Sequence, residues 1–414
     1  MITVKPFKAL RPTKELASKC AALPYDVMSS SEAREMVKGD PYTFLRIDRA
    51  EVNLDKSVDI YSQVVYETAR DLLKKQESDG VYVNETCKKY YFYRQVMDGR
   101  GQTGIVGCAS IDDYLENRIK KHEFTRADKE QDRINHVDIC SAQTGPIFLA
   151  YKDSVALDEI IEKQTQGEPL YDFVAEDGVR HTVWATDSSS TDEAIENEFA
   201  KLDALYIADG HHRCASAVKV GVKRREQNPQ HNGDEEYNFF LSVIFPSKSL
   251  AILDYNRLLK DLNGYTSEEL LSAIEEKVGH VALFEGEGQY KPTEKHTVGI
   301  YLEGKWYSVK FHQSICNEPK AVDRLDCAIL QKNLLSAILG IEDPRSDKRI
   351  DFAGGIRGLK YLEKRCSEDM KMAISMYPTS LEDLMAVADN GDVMPPKSTW
   401  FEPKLRSGLL IHKI

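Results

Sequence analysis

The sequence predicts a mixed α+β protein, on three observations. Short apolar runs with strand character and segments with apolar residues at three- and four-residue steps are both present. They do not alternate in the regular strand–helix order of a parallel α/β sheet. At 414 residues the chain exceeds what one hydrophobic core usually serves, so two regions are expected, 1–250 and 251–414. The first reads as a mixed-sheet core with insertions, the second as an additional α/β unit.

The elements run in order along the chain. "ITVKPF" reads as a strand, and a loop holding "LPYDV" comes next. Ser29, Ser30 and Ser31 offer N-caps to a helix behind them. Apolar steps over 57–77 predict a second helix. "YYFYRQVMDGRGQTGIVGCASI" places aromatic strands around a Gly-rich turn, a hairpin. Residues 111–136 read as one long, highly charged helix, whole or broken. Strands are expected at 146–151 and 181–186, then strand, turn and helix around Asp209. The polar stretch 224–238 reads as a surface loop, and "FFLSVIF" resumes the sheet. Beyond it lie a helix at 266–277, a hairpin over 297–311, and further helices up to "MPPKSTWFEPKLRSGLLIH".

Composition weighs against several functional classes. A formal net charge of −12 opposes a general nucleic-acid binder, which needs a basic footprint. The eight cysteines include no Cys-x-x-Cys pair, so neither a zinc ribbon nor a redox motif is present. No apolar stretch is long enough to span a bilayer, and the first residues lack a signal-peptide core. A reduced, cytoplasmic protein without nucleic-acid or membrane partners is expected.

"LYIADGHHRCASAVKV", residues 205–220, is the most informative stretch. Asp209-Gly210 forms a turn, and Gly210 lets the backbone approach a ligand. His211, His212 and Arg213 then fall at the N-terminus of a helix, where free N–H groups and the dipole already favour an anion. Cations there oppose the dipole unless a phosphate satisfies both, and arginine's planar fork matches phosphate oxygens. An ordinary surface turn is the competing reading. It stays open, although the residues beyond it do not alternate as a returning strand should. Zinc on His211 and His212 lacks visible further ligands.

"ADGHHR" resembles the nucleotide-phosphate loop of the ParB/sulfiredoxin-like superfamily, most closely that of free serine kinases. "ALPYDV", "KHEFT" followed by "DR", "IADGHHR" and "MPPKSTWFEPKLRSGL" resemble a family of formerly unknown function related to those kinases, through essentially the whole chain. The resemblance implies a ParB/sulfiredoxin-like core in which Gly210, His211, His212 and Arg213 hold ATP or ADP, with Mg²⁺ across the phosphates. Asp209 would lie near the hydroxyl of free L-serine, helped by Asp26 or Glu123. By the same resemblance Asp26 stands where the kinases have a catalytic glutamate, and a proline-led turn competes with that role.

Three further segments carry candidates. Glu123, Thr125, Asp132 and Arg133 recur in the look-alike family, although so charged a helix is ordinarily a solvated face. His122-Glu123 is not a zincin motif, because Arg126 stands where its second histidine belongs. Lys397, Ser398 and Thr399 after Pro-Pro could bind phosphate, or form an ordered tail packing Trp400 and Phe401. A nucleotide-gated regulator or DNA-partition protein is the alternative function, and the acidic charge weighs against it. The C-terminal region as lid, substrate pocket or homodimer surface stays open.

Overall fold

The computed structural model describes residues 1–414. Two compact units result, Met1–Leu250 with Pro403–Ile414, and Ala251–Glu402. The sequence alone assigns everything after 250 to the second region. Residues 403–414 instead return to the first unit, because Ile411–Lys413 pairs with Ala9–Pro12 and Ala142–Gln143.

The first unit is built on a nine-stranded sheet. Its strands are β1 (Val4–Lys5), β2 (Tyr91–Met97), β3 (Arg100–Ser110), β4 (Ile119–Lys120), β5 (Ile147–Tyr151), β6 (Tyr171–Val174), β7 (Arg180–Ala185), β8 (Leu205–Asp209) and β9 (Phe239–Pro246). The order across the sheet is β4-β8-β5-β9-β3-β2-β7-β6, with β1 beside β3. β8 runs parallel to β4 and β9 parallel to β5, while the other pairs are antiparallel. The sheet is therefore mixed, as the irregular element order predicts. The expected hairpin is β2–β3, turning at Asp98 and Gly99, both at positive φ (50° and 79°).

Five helices of this unit bear on the site: α1 (Gln63–Ser78), α2 (Ala127–Cys140), α3 (Val155–Gln164), α4 (Ser189–Ala200) and α5 (His211–Gln227). Leu157 and Ile161 of α3 and Ile195 and Phe199 of α4 pack with Phe92, Ile105, Leu149 and Ile207 of the sheet. Cys214, Ala217 and Val218 of α5 join the same core. Each fully buried aliphatic or aromatic side chain there contributes about 1.5–3 kcal/mol. That burial fixes α5 against the end of β8.

Several local expectations change. Ser29 caps the helix Ser30–Met36 in a capping box with Glu32, as its position suggests. The helix expected from 57 begins only at Gln63, because the Asp55 and Asp59 side chains accept backbone N–H bonds from Ser57 and Tyr61 and hold turns there. Residues 111–136 are not one helix. They form Ile111–Leu115, β4, a loop over 121–126 and the start of α2. Asn117 at φ 58° ends the first piece, and fully buried Ile119 enters the sheet.

The second unit centres on a six-stranded sheet in which every pair is antiparallel. It is α+β in topology rather than the α/β unit expected. The predicted hairpin joins Thr297–Leu302 to Lys305–Phe311 through Glu303-Gly304. No helix of the chain is long and apolar enough to cross a membrane. All eight cysteines are free thiols.

Candidate functional site

β8 carries an irregularity just before the loop of interest. Ile207 pairs with Leu149 but Asp209 pairs with Phe148, so two steps on β8 oppose one on β5. Such a bulge re-aims the next side chain, here Asp209. Gly210 comes next at φ 91°, where a Cβ would lie 3.1 Å from the Nε and Nη2 of Arg213. Only glycine combines that backbone with a guanidinium packed over it. α5 starts at His211, so the amides of its first turn have no intrahelical acceptors.

Asp209 is held on both oxygens. Its Oδ1 accepts from the Gly210 N–H at 2.8 Å, and its Oδ2 accepts from Lys404 Nζ at 3.0 Å. Burial alone would raise this carboxyl. The charges of Lys404 and Arg213 outweigh it and hold Asp209 well below the usual carboxylate range. Arg213 donates from Nη1 to the Pro146 carbonyl at 2.7 Å, while its buried Nε has no partner.

The two histidines behave differently from the cations that the sequence suggests. His211 is 5% exposed, and its ring meets His122 edge-to-face at 4.5 Å. Its Nε2 lies 3.5 Å from the His122 N–H, and its Nδ1 3.8 Å from Glu123 Oε2. Burial, then the neighbouring His122, drives its pKa far below the ordinary imidazole value. His212 Nε2 accepts from the Arg126 N–H at 3.0 Å, and burial lowers its pKa too. Both rings are thus neutral near pH 7 and dock the 121–126 loop onto the start of α5. Of the three basic residues His211, His212 and Arg213, only Arg213 stays a cation, so their opposition to the dipole is smaller than the residue types imply.

The other candidates of the first unit separate into three groups. Glu123 stands beside His211, and the negative charge of Asp26, an exposed residue after buried Tyr25, acts on His212. Thr125 donates to Glu130 Oε2 at 2.7 Å, a carboxylate also paired with Lys219, and so clips the loop to α2. Asp132 and Arg133 form a buried pair at 2.9 Å, with Tyr66 donating to Asp132 and the guanidinium 4.0 Å from the Tyr25 ring centroid.

Lys397, Ser398 and Thr399 belong to the second unit. There Ser398 is buried and donates to the Pro395 carbonyl at 2.6 Å, and Lys397 lies over the Tyr255 ring. These are the contacts of an ordered turn. The lysine beside Asp209 is Lys404, seven residues further along the same "KSTWFEPK" stretch and absent from the sequence-derived candidates. Its backbone carbonyl accepts from Gln95, and two residues on Arg406 is buried against His181 and paired with Asp177. The signal for Lys404 lies within that stretch. Nothing local distinguishes it from Lys397.

The chain is thus an α+β protein with a mixed sheet, in which a bulged strand end, a positive-φ glycine and an acid–lysine pair meet at a helix N-terminus. By sequence the chain belongs to the DUF1015 family, described as a protein of unknown function, which it matches over residues 4–328. No curated protein matches it. Among solved structures it is similar to a free serine kinase in complex with AMP, at 15% identity and TM-score 0.36, covering 73% of this chain and 90% of that one. It is similar to a mutant free serine kinase in complex with ADP, at 14% identity and TM-score 0.35, with coverage of 73% and 90%. It is also similar to C-terminally truncated SbnI from Staphylococcus aureus, at 10% identity and TM-score 0.39, covering 74% and 86%.

Proposed function

We propose that this protein is a small-molecule phosphotransferase that moves the terminal phosphoryl group of ATP or ADP to the hydroxyl of free L-serine, giving O-phosphoserine. The observation that carries this reading is the ionised Asp209 clamped by Lys404 at the Gly210 turn, where the open amides of α5 and the Arg213 guanidinium converge. Phosphates suit that end of α5 on charge and geometry. The loop's resemblance to the phosphate loop of serine kinases points the same way.

In the proposed reaction the serine oxygen bonds to the terminal phosphorus. The bond to the bridging oxygen breaks, and its electron pair leaves on ADP (or on AMP when ADP is the donor). The hydroxyl proton passes to Asp209 and then to solvent. A carboxylate so acidic is a weak base toward an alcohol. Its work is to orient the hydroxyl and take the proton late, as suits a loose phosphoryl-transfer transition state. Lys404 keeps Asp209 ionised and offers positive charge to the transferring oxygens. No three His, Cys, Asp or Glu side chains converge on one point. Mg²⁺ would therefore arrive on the nucleotide phosphates, with single carboxylates such as Asp209 or Asp26 at hand, and would neutralise phosphate charge.

The test is incubation of the protein with L-serine and Mg-ATP, and separately Mg-ADP, with detection of O-phosphoserine. Product with either donor is expected. Absence with both removes the serine assignment.

A further inference from the structure

Behind the Gly210 turn, two adjoining cavities of the first unit share Tyr25, Asp48, Arg133 and His136 in their walls, and one of them reaches Arg213. Asp48 is only 4% exposed, yet it forms no ion pair. Its Oδ1 accepts from Thr144 Oγ1 at 2.7 Å, and its Oδ2 has no protein partner. Facing it is Arg133, whose Nε and Nη2 both rest on Asp132 Oδ2 while Nη1 makes no protein hydrogen bond. The charges of Asp48 and Arg133 act on each other, but the two groups do not close to ion-pair distance. Buried opposite charges held apart across a cavity are costly unless something bridges them. In the cavity that reaches Arg213 the charged wall groups are Asp48, Arg133 and Arg213, and Asp132, the ion-pair partner of Arg133, brings their sum to zero. A net-neutral ligand with separated charges matches that balance better than an anion does.

We propose that this cavity is the acceptor subsite and that it recognises a free α-amino acid as its zwitterion, with Asp48 on the ammonium and Arg133 Nη1 on the carboxylate. The proposal rests on the phosphotransfer reading for its connection to Asp209, since the cavity adjoins Arg213 and hence the Gly210 turn. The recognition itself is a matter of binding and can be measured without turnover. Asp48, outside every candidate motif of the sequence, becomes the residue that selects amino acids from other small alcohols.

L-serine, 3-hydroxypropionate (no ammonium) and ethanolamine (no carboxylate) are titrated calorimetrically into the full-length protein in the presence of AMP. Serine should bind, and each analogue should bind at least about 30-fold more weakly, because a site built for a polar group rejects ligands lacking it. Asp48→Asn should weaken serine to the level of 3-hydroxypropionate while leaving AMP affinity unchanged. Equal binding of serine and 3-hydroxypropionate by the unmodified protein overturns the proposal, as does no serine binding, and neither result depends on a variant folding. Undiminished serine binding by Asp48→Asn also overturns it. The expected binding pattern without O-phosphoserine formation would remove the phosphotransfer reading and keep the subsite. Serine turnover indifferent to Asp48→Asn would remove the subsite and keep the reading.

Discussion

Lys404 Nζ and Asp209 Oδ2 meet at 3.0 Å although 195 residues separate them in the chain. The side chains are 12% and 30% exposed, so solvent screens the pair only in part. Lys404→Met leaves the carboxylate with Arg213 as its main counter-charge, and a loss of about 1–3 kcal/mol in unfolding free energy at pH 7 is expected. Asp209 titrates below its unfolded value near 3.9, so its stabilisation is complete above that pH and is lost as pH falls through the folded value. The difference between variant and parent should therefore hold steady from pH 5 to 8 and shrink in acid. Urea titrations across that range check it.

Asp209→Asn keeps the size of the side chain and removes its charge. Turnover to O-phosphoserine should fall by about 10²–10⁴-fold, the range expected for a positioned acid–base group. Nucleotide affinity should change little, because the amides of α5 and Arg213 are untouched. Parallel product assays and nucleotide titrations separate the two effects, and full turnover by the variant would remove Asp209 from the mechanism.

Gly210→Ala forces a Cβ onto a φ of 91° and to within 3.1 Å of the Arg213 guanidinium. The backbone term alone costs about 1–2 kcal/mol. Displacing Arg213 should also weaken nucleotide binding, so both the thermal midpoint and nucleotide affinity are expected to fall. Unchanged affinity would show that Arg213 does not face the ligand.

Burial pushes His122 down to about 4 and His181 to about 3, with His211 also far below its ordinary value. The unfolded chain takes up these protons near pH 6.5, whereas the folded one does not until lower pH. Stability should therefore drop as pH falls from 6.5 toward 4, by about 1.4 kcal/mol per pH unit for each such imidazole. His122→Gln should make that decline shallower by about one proton's worth in urea titrations at pH 6.5, 5.5 and 4.5.

The strand–turn–helix at 205–220 is legible because each of its signals is local. An apolar run, an Asp-Gly turn and a helix-forming tail need no distant partner to be read. The hairpins at 91–110 and 297–311 are legible for the same reason. Residues 111–136 mislead because charge density suggests an exposed helix, whereas the buried Ile119 that pairs beside β8 is a single residue in a polar stretch. The histidines mislead in a related way. Residue type announces a cation, but only burial against His122 and the 121–126 loop decides that the ring stays neutral.

The sequence by itself determined the mixed α+β class, the strand–turn–helix that carries Asp209–Arg213 and the acidic balance, because composition and short-range pattern encode these directly. Only the tertiary structure decided that Lys404 rather than Lys397 stands at Asp209, that residues 403–414 rejoin the first unit, and that Asp48 faces Arg133 across a cavity. Each of those depends on long-range pairing, and a pairing across 195 residues leaves no periodicity along the chain for a reader to find.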